Sequence, residues 1–299
     1  MELRQLRYFV AVAEELHFGR AAERTHVAQP ALSKQVRNLE RELGVELLDR
    51  SERRVKLTDA GRVFLEKAYS VLEGAEEAEA AAARAARGEV GRLSVGFSGY
   101  TLYGVLPEAV RAFRNRFPGV ELSVQEGCTK ALTEGLMGGR FDVGLLHPPL
   151  GEGAGGALEL ETVATEPLIA ALPEDHPLAG EAEIPLSALA NDTLVAACRA
   201  AGFGPRAANE EEPQTAIGLV AAGVGVALVW ESMGNLKRPG VVYARLAGTP
   251  PRLETAVAWR RGNPSAVVRA FVEVVKGLDP SVSRVDGPTG ARKASTILS

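Results

Sequence analysis

The sequence predicts an α/β chain that opens with a winged helix-turn-helix and a long linker helix and continues as two α/β lobes. Three observations carry this. A short helical pattern and a tight break precede residues 29–40, a helix with one polar face. Residues 59–87 hold no proline and are rich in Ala and Glu. From Leu93 onward, strand-like alternation exchanges with helical spacing.

In the first segment, Leu3, Leu6, Phe9, Val10, Ala13 and Leu16 form one apolar stripe on a first helix. Ala21 and Ala22 start a short second helix after Gly19, small enough for close helix–helix approach. His26-Val27-Ala28 is the turn, and Pro30 suits the first turn of a third helix because its missing N–H costs nothing there. Ala31, Leu32, Val36, Leu39 and Leu43 form the expected buried face, Ser33, Lys34 and Arg37 fall opposite, and Gly44 ends the helix. A helix with short polar and basic side chains near its N-terminus fits the DNA major groove.

Residues 47–57 read as a small hairpin or wing, and Arg50, Arg53, Arg54 and Lys56 make it the densest basic spot in the chain. It is either a solvated turn or a contact with phosphates or the minor groove, for which Arg is suited. Thr58 can cap the next helix, with Asp59 favourable in its first turn. Residues 59–87 would span roughly 43 Å as a helix. Leu65, Ala68, Leu72, Ala75, Ala78 and Ala82 give it a narrow stripe, readable as a coiled-coil dimer seam or as a low-complexity linker.

Beyond the linker, Leu93, Val95 and Phe97 alternate as a strand, 107–117 is helical, and Val120, Leu122 and Val124 alternate again. Residues 129–137 are helical and 141–146 form another strand, so a parallel sheet is expected. Residues 162–172 look like a crossing strand. Residues 193–197, 213–222 and 226–230 read as strand, helix and strand of a second lobe. Residues 252–261 cross back and 264–277 form a late helix. After Asp279 the Ser/Gly/Pro/Arg-rich chain is expected to be disordered. The domains expected are 1–58 (winged helix-turn-helix), 59–88 (linker and dimerisation helix) and 89–278. Within the last, lobe I takes 89–162 and 262–278, and lobe II takes 163–261. A tail, 279–299, follows.

Composition bounds the function. The chain has 299 residues, 46% hydrophobic and 24% charged, which suits a globular protein of more than one domain. No apolar run approaches the roughly 20 residues of a membrane helix. The first residues resemble neither a signal nor a transit peptide, so a cytoplasmic protein without membrane partners is expected. Cys128 and Cys198 form no CxxC or Cys/His cluster, so no metal is expected, and they are either a redox pair or unrelated thiols. The net charge is -4, and residues 1–60 carry eleven Lys/Arg against ten Asp/Glu. Bulk charge therefore does not argue for nucleic acid; the placement of the charges does.

A set of matched positions extends this reading. Leu6-Arg7-Tyr8-Phe9, Ala21-Ala22, Gln29-Pro30-Ala31-Leu32-Ser33, Leu39-Glu40, Leu43-Gly44, Leu47-Leu48-Asp49-Arg50 and Leu57-Thr58-Asp59-Ala60-Gly61 resemble the LysR-type transcriptional regulators. The resemblance covers roughly residues 1–278. It implies a dimerising linker helix, a two-lobed effector domain like the periplasmic binding proteins, and homotetramers on a two-part, dyad-related operator of double-stranded DNA. RNA polymerase is a further partner it allows. Gln29, Pro30, Ser33, Lys34 and Arg37 match family positions that face DNA. Gln29 and Ser33 can pair base edges or phosphates, and both can also cap the third helix. Lys34 stands where the family often has Arg, which favours a phosphate contact. Arg37, Arg53 and Arg54 would hold the backbone.

Two lobes joined by crossing strands leave a cleft at the C-terminal ends of their strands. The loops there are Ser98-Gly99-Tyr100-Thr101 and Gly127-Cys128-Thr129. Both are expected to open helices, whose free N–H groups suit a carboxylate. Thr129 can cap its helix or donate its hydroxyl to a ligand. From lobe II, Gly202 and Phe203 would offer an aromatic wall, Phe203 being otherwise core, and His147 lies just after the third strand. Residues 126–131 and 133–136 are similar to the benzoate- and muconate-responsive branch, although Tyr100 stands where that branch usually has a small hydroxyl residue. The expectation is a non-enzymatic, DNA-binding regulator without cofactor, controlled by an aromatic or dicarboxylic acid. The alternative is a small-molecule-binding protein or enzyme with an accessory helix-turn-helix. No Ser-His-Asp constellation or phosphate-binding loop favours catalysis.

Overall fold

The computed structural model describes residues 1–51, 55–150, 154–190, 192–196 and 213–278. The expected tail 279–299 lies outside them. The chain divides into two compact units, Met1–Arg84 and Ala85–Ser299. No helix of the described residues is long and apolar enough to cross a membrane.

In the first unit, α1 (Leu3–Glu15) starts where the Glu2 N–H donates to the Gln5 side chain at 2.7 Å. Its stripe is narrower than expected: Leu6, Phe9, Val10 and Ala13 are buried, whereas Leu3 and Leu16 are exposed. Leu16 ends the helix in the left-handed region (φ 47°), which turns it off the core face. α2 (Phe18–Arg24) is capped by His17, whose Nδ1 accepts from the N–H groups of Gly19 and Arg20. Its Ala21 and Ala22 are buried against α1 and α3 (Gln29–Leu43). Leu32, Val36 and Leu39 of α3 are fully buried, each contributing roughly 1.5–3 kcal/mol. Ala31 and Leu43, expected on that face, are exposed, because the core is shorter than the helix.

Glu40 takes the last buried position on α3. Its Oε1 accepts the N–H groups of Leu47 and Leu48, both at 3.1 Å, and its Oε2 meets an Arg50 guanidinium N–H at 2.6 Å. This carboxylate ties α3 to the wing, whose strands β1 (Leu48–Asp49) and β2 (Lys56–Leu57) pair antiparallel. Thr58 Oγ1 accepts from the Gly61 N–H at 2.9 Å and so caps α4 (Asp59–Ala86). Gly61 is required, since a Cβ there would lie 2.0 Å from the Leu47 carbonyl oxygen. Along α4, Phe64, Leu65, Ala68 and Leu72 pack on the N-terminal core, and Ala78 and Ala82 are exposed.

The second unit contains β3 (Val90–Phe97), a 3-10 turn (Gly99–Tyr103), α5 (Val105–Arg116), β4 (Gly119–Glu126), α6 (Thr129–Met137) and β5 (Val143–Leu146). α7 (Ala154–Ala157), β6 (Leu158–Pro173), β7 (Glu183–Ile184) and β8 (Leu194–Ala196) follow. The chain then forms α8 (Pro213–Ala221), β9 (Val226–Trp230), a 3-10 turn (Glu231–Asn235), β10 (Val241–Leu246), β11 (Arg252–Arg260) and α9 (Ala266–Lys276). β4, β3 and β5 are parallel, as expected. β11 runs antiparallel to β5, so the sheet is mixed. β11 was expected within lobe II; its register from Ala256 to Trp259 makes it a strand of lobe I's sheet.

Lobe I packs Phe113 of α5 and Phe271 of α9 on one face of that sheet, their rings 5.2 Å apart. Leu132 and Leu136 of α6 cover Phe141 and Leu158 in a separate cluster. In lobe II, β9 and β10 flank the second half of β6, with β8 beside β9 and β7 beside β10. Ile217 and Val220 of α8 pack on that sheet. β6 therefore serves both lobes: residues 158–167 pair with β11 and residues 168–173 with β9 and β10. Its register against β11 shifts between Thr255 and Ala256, leaving Val163 as the extra residue of a bulge.

Replacing Glu40 by Ala strands two buried N–H groups and a guanidinium. Glu40→Ala is expected to lower stability by about 3 kcal/mol, and Glu40→Gln by less, since its amide oxygen still accepts. Urea denaturation measures this; an unchanged midpoint in Glu40→Ala would show that the three bonds contribute nothing.

Candidate functional site

Two surfaces bring the expected residues together. On α3, Gln29, Pro30, Lys34 and Arg37 are exposed and Ser33 is half-buried, on the side away from Leu32, Val36 and Leu39. The N-cap of α3 is Ala28, with no side-chain cap bond, so neither Gln29 nor Ser33 caps the helix. One guanidinium N–H of Arg37 donates to Ser33 Oγ at 3.3 Å and another to the Ser33 carbonyl at 3.4 Å. This i,i+4 pair sets the guanidinium one turn from its own Cα and leaves Lys34 beside it. In the wing, Arg50 is engaged by Glu40 and stacks 5.4 Å over the Phe18 ring, so it acts within the fold. Arg53 and Arg54 lie outside the described residues.

The second surface is the junction of the lobes. β3, β4 and β5 run parallel, so the residues that follow them meet at one edge. The Ser98 N–H donates to the Leu145 carbonyl at 2.9 Å and the Gly127 N–H to the Phe97 carbonyl at 3.0 Å, which places these loops side by side. Gly99 begins the 3-10 turn, and α5 starts only after Gly104, so the first loop opens a single tight turn rather than a long helix. Thr101 is buried and its hydroxyl donates to the Ser98 carbonyl at 2.7 Å; it shapes the turn from inside. Cys128, exposed, is the N-cap of α6, and Thr129 is its first residue. Thr129 is therefore not the cap, and its carbonyl accepts from the Thr133 hydroxyl. Gly202 and Phe203 lie outside the described residues.

His147 follows β5 and joins both lobes. Its ring centroid lies 3.9 Å from that of Trp230 at the end of β9, and 6.0 Å from that of Tyr100. Tyr100 and Trp230 are themselves 5.6 Å apart. Nδ1 of His147 stands 3.1 Å from the Glu254 carbonyl, and Nε2 is out of solvent with no hydrogen-bond partner among the described residues. Burial holds the imidazole pKa down to about 4, opposed by the bond to Glu254, so the ring is neutral at neutral pH.

Trp230 is a site residue that sequence reasoning missed. Its signal was an aromatic at the C-terminal end of a lobe II strand. Glu166, also missed, is buried on β6 and accepts the Ser232 N–H at 2.6 Å, which anchors the turn after Trp230. Its carboxyl is held above the usual range by desolvation, against the bonds from Ser232. From the same turn, Asn235 donates an amide N–H to the Tyr103 carbonyl at 3.2 Å, a direct bond between the lobes. None of the described cleft residues named here is a cation. An anion would be held by N–H and O–H donors.

His147 is neutral in the fold down to about pH 4 and titrates near 6.5 when unfolded. Between these values the unfolded chain binds more protons, so acid removes stability. At pH 4 the loss is about 3 kcal/mol, from 1.36 kcal/mol per unit. The drop in urea stability between pH 7 and 4 is expected to be smaller by that amount in His147→Phe. Identical pH profiles would show that the ring titrates normally.

Comparison with known proteins identifies the architecture. Residues 3–62 match the bacterial regulatory helix-turn-helix protein, lysR family, and residues 86–279 match the LysR substrate binding domain. The HTH-type transcriptional regulator AlsR of Bacillus subtilis (strain 168) is 38% identical over 290 residues, covering 92% of this chain and 95% of its own. The Hca operon transcriptional activator HcaR of Escherichia coli (strain K12) is 37% identical over 292 residues, covering 92% and 97%. Full-length CbnR complexed with its target DNA superimposes with a TM-score of 0.79 at 33% identity, covering 92% of this chain and 99% of that one. The chain therefore belongs to the LysR family and is a DNA-binding transcriptional regulator whose second unit is a small-molecule effector domain.

Proposed function

We propose that α3 enters the major groove of a dyad-related operator and that its outward residues make the contacts. Gln29 and Ser33 meet base edges or phosphates, Pro30 packs at the groove edge, and Lys34 and Arg37 hold phosphates. The observation that carries this reading is the sorting of α3, with Leu32, Val36 and Leu39 in the core and Gln29, Lys34 and Arg37 outside. Arg53 and Arg54 are assigned to the DNA backbone on the basic density of the wing and the family positions. A two-part operator calls for paired chains. Exposed Val63, Tyr69 and Val71 on α4 give a second α4 an apolar surface to cover, and two such pairs make the tetramer. CbnR on its target DNA supports this mode of binding. The place of action is the cytoplasm.

The effector is an aromatic or dicarboxylic acid seated between the lobes. Its carboxylate meets the hydroxyl of Ser98, the backbone N–H of Gly99 and the hydroxyl of Thr129 at the start of α6. Cys128 borders this end, and Tyr100 and His147 line the other. Thr101 acts through the shape of its turn, and Gly202 and Phe203 would complete the lobe II wall. Effector binding shifts the lobes and the spacing of the DNA-binding heads, for which a differential affinity of about 1–3 kcal/mol suffices.

Fluorescence anisotropy on the DNA upstream of its own gene, over a salt series, tests the first part. Lys34→Ala is expected to weaken binding to all fragments and to reduce the slope of log K against log salt by about one. An unchanged slope removes Lys34 from the interface. Thr129→Val keeps the shape and loses the hydroxyl. It is expected to lower the response to effector with DNA affinity intact, and a normal response excludes Thr129 from the site.

A further inference from the structure

The lobe junction specifies one end of its ligand more closely than a carboxylate site does. A carbonyl oxygen only accepts, so the 3.1 Å contact with Glu254 puts the single imidazole proton of His147 on Nδ1. Nε2 then carries a lone pair. It is shielded from solvent and no described residue donates to it, although the rings of Trp230 and Tyr100 stand beside the imidazole. Thr162 Oγ1 donates to the Glu254 side chain at 3.1 Å, so the strand that orients the ring is itself held at the crossing between lobes. The imidazole cannot turn its proton toward the cleft without losing the Glu254 bond. A buried acceptor in a fixed orientation is a selective element: it rewards a donor and rejects another acceptor.

We propose that the effector presents a hydroxyl or N–H to Nε2 of His147 and an aromatic body to Tyr100 and Trp230. The ligand class is a hydroxylated aromatic acid, not a simple dicarboxylate. This rests on the reading of the cleft as the effector site. An ionised dicarboxylate has only acceptors at both ends and would set an oxygen lone pair against that of Nε2. A hydroxylated aromatic acid places its carboxylate among the donors of Ser98 and Thr129 and its hydroxyl hydrogen on His147. The ring would lie against Tyr100 and Trp230. His147 acts by direct contact, and Glu254 is a positioning residue that fixes the tautomer.

Isothermal titration of the full-length chain with benzoate, the three monohydroxybenzoates and adipate tests this. At least one hydroxybenzoate is expected to bind about tenfold tighter than benzoate. The preference should vanish in His147→Phe, which keeps a ring without an acceptor, and persist in His147→Gln, which restores an acceptor oxygen. Equal affinities for benzoate and all hydroxybenzoates, or a preference that survives in His147→Phe, overturn the assignment. Tightest binding by adipate also overturns it and leaves the cleft reading standing. If no acid binds, the cleft reading falls and takes this one with it. Nitrogen-15 NMR of the unaltered chain provides a check that needs no variant. A neutral Nδ1–H tautomer at pH 7 is expected, and an Nε2–H tautomer is incompatible with the proposal.

Discussion

Strand β6, 16 residues long, is hydrogen-bonded to β11 along its first half and to β9 and β10 along its second. Neither lobe has a complete sheet without it. The same strand places the functional junction, because everything at the cleft is measured from it. Glu166 on β6 anchors the turn after Trp230, and Thr162 holds the side chain of Glu254, whose carbonyl orients His147. The bulge at Val163 lies between these two fixtures. A bulge adds local twist without breaking the strand. The rings of His147, Trp230 and Tyr100 sit at the same crossing.

The N-terminal unit uses the same device on a smaller scale. Its core of Leu, Phe, Val and Ala takes in Leu47 and Leu48 at the start of the wing. A buried carboxylate adds a directional constraint, since Glu40 satisfies two backbone donors and one guanidinium at once. In both units a partly or fully buried polar group, rather than more apolar surface, places the element that carries function.

Local patterns in the sequence were enough to find the helix-turn-helix, the linker helix and the strand–helix–strand run of lobe I. Each element there is long enough for its period to show, and each packs against a sequence neighbour. The signals that failed are long-range or very short. β7 has two residues and β10 follows a turn, so neither stands out from loop sequence. β11 was assigned to the wrong lobe because its partner, β5, is a hundred or so residues away, and antiparallel pairing leaves no local trace. Glu40 was visible only as a matched family position, and nothing nearby in sequence announced its partners. At the cleft, the edge formed by Ser98, Gly127 and His147 was legible from strand ends. Trp230 and the tautomer of His147 were not, since both depend on a contact between lobes. The expected roles of Arg53 and Arg54 rest on the basic wing and the family positions, and those of Gly202 and Phe203 on the glycine-flanked loop; all four lie outside the described residues.

A strand with two owners limits how such a molecule can be recombined. Side chains alternate faces with a period of two, so deleting one residue from β6 on either side of Val163 would invert inside and outside for one lobe and spare the other. A chimaera that takes lobe II from a relative must be spliced at β6 and β11 together, near Val163 and Thr255, where the register already slips. A single crossover elsewhere would graft half a sheet onto a mismatched edge.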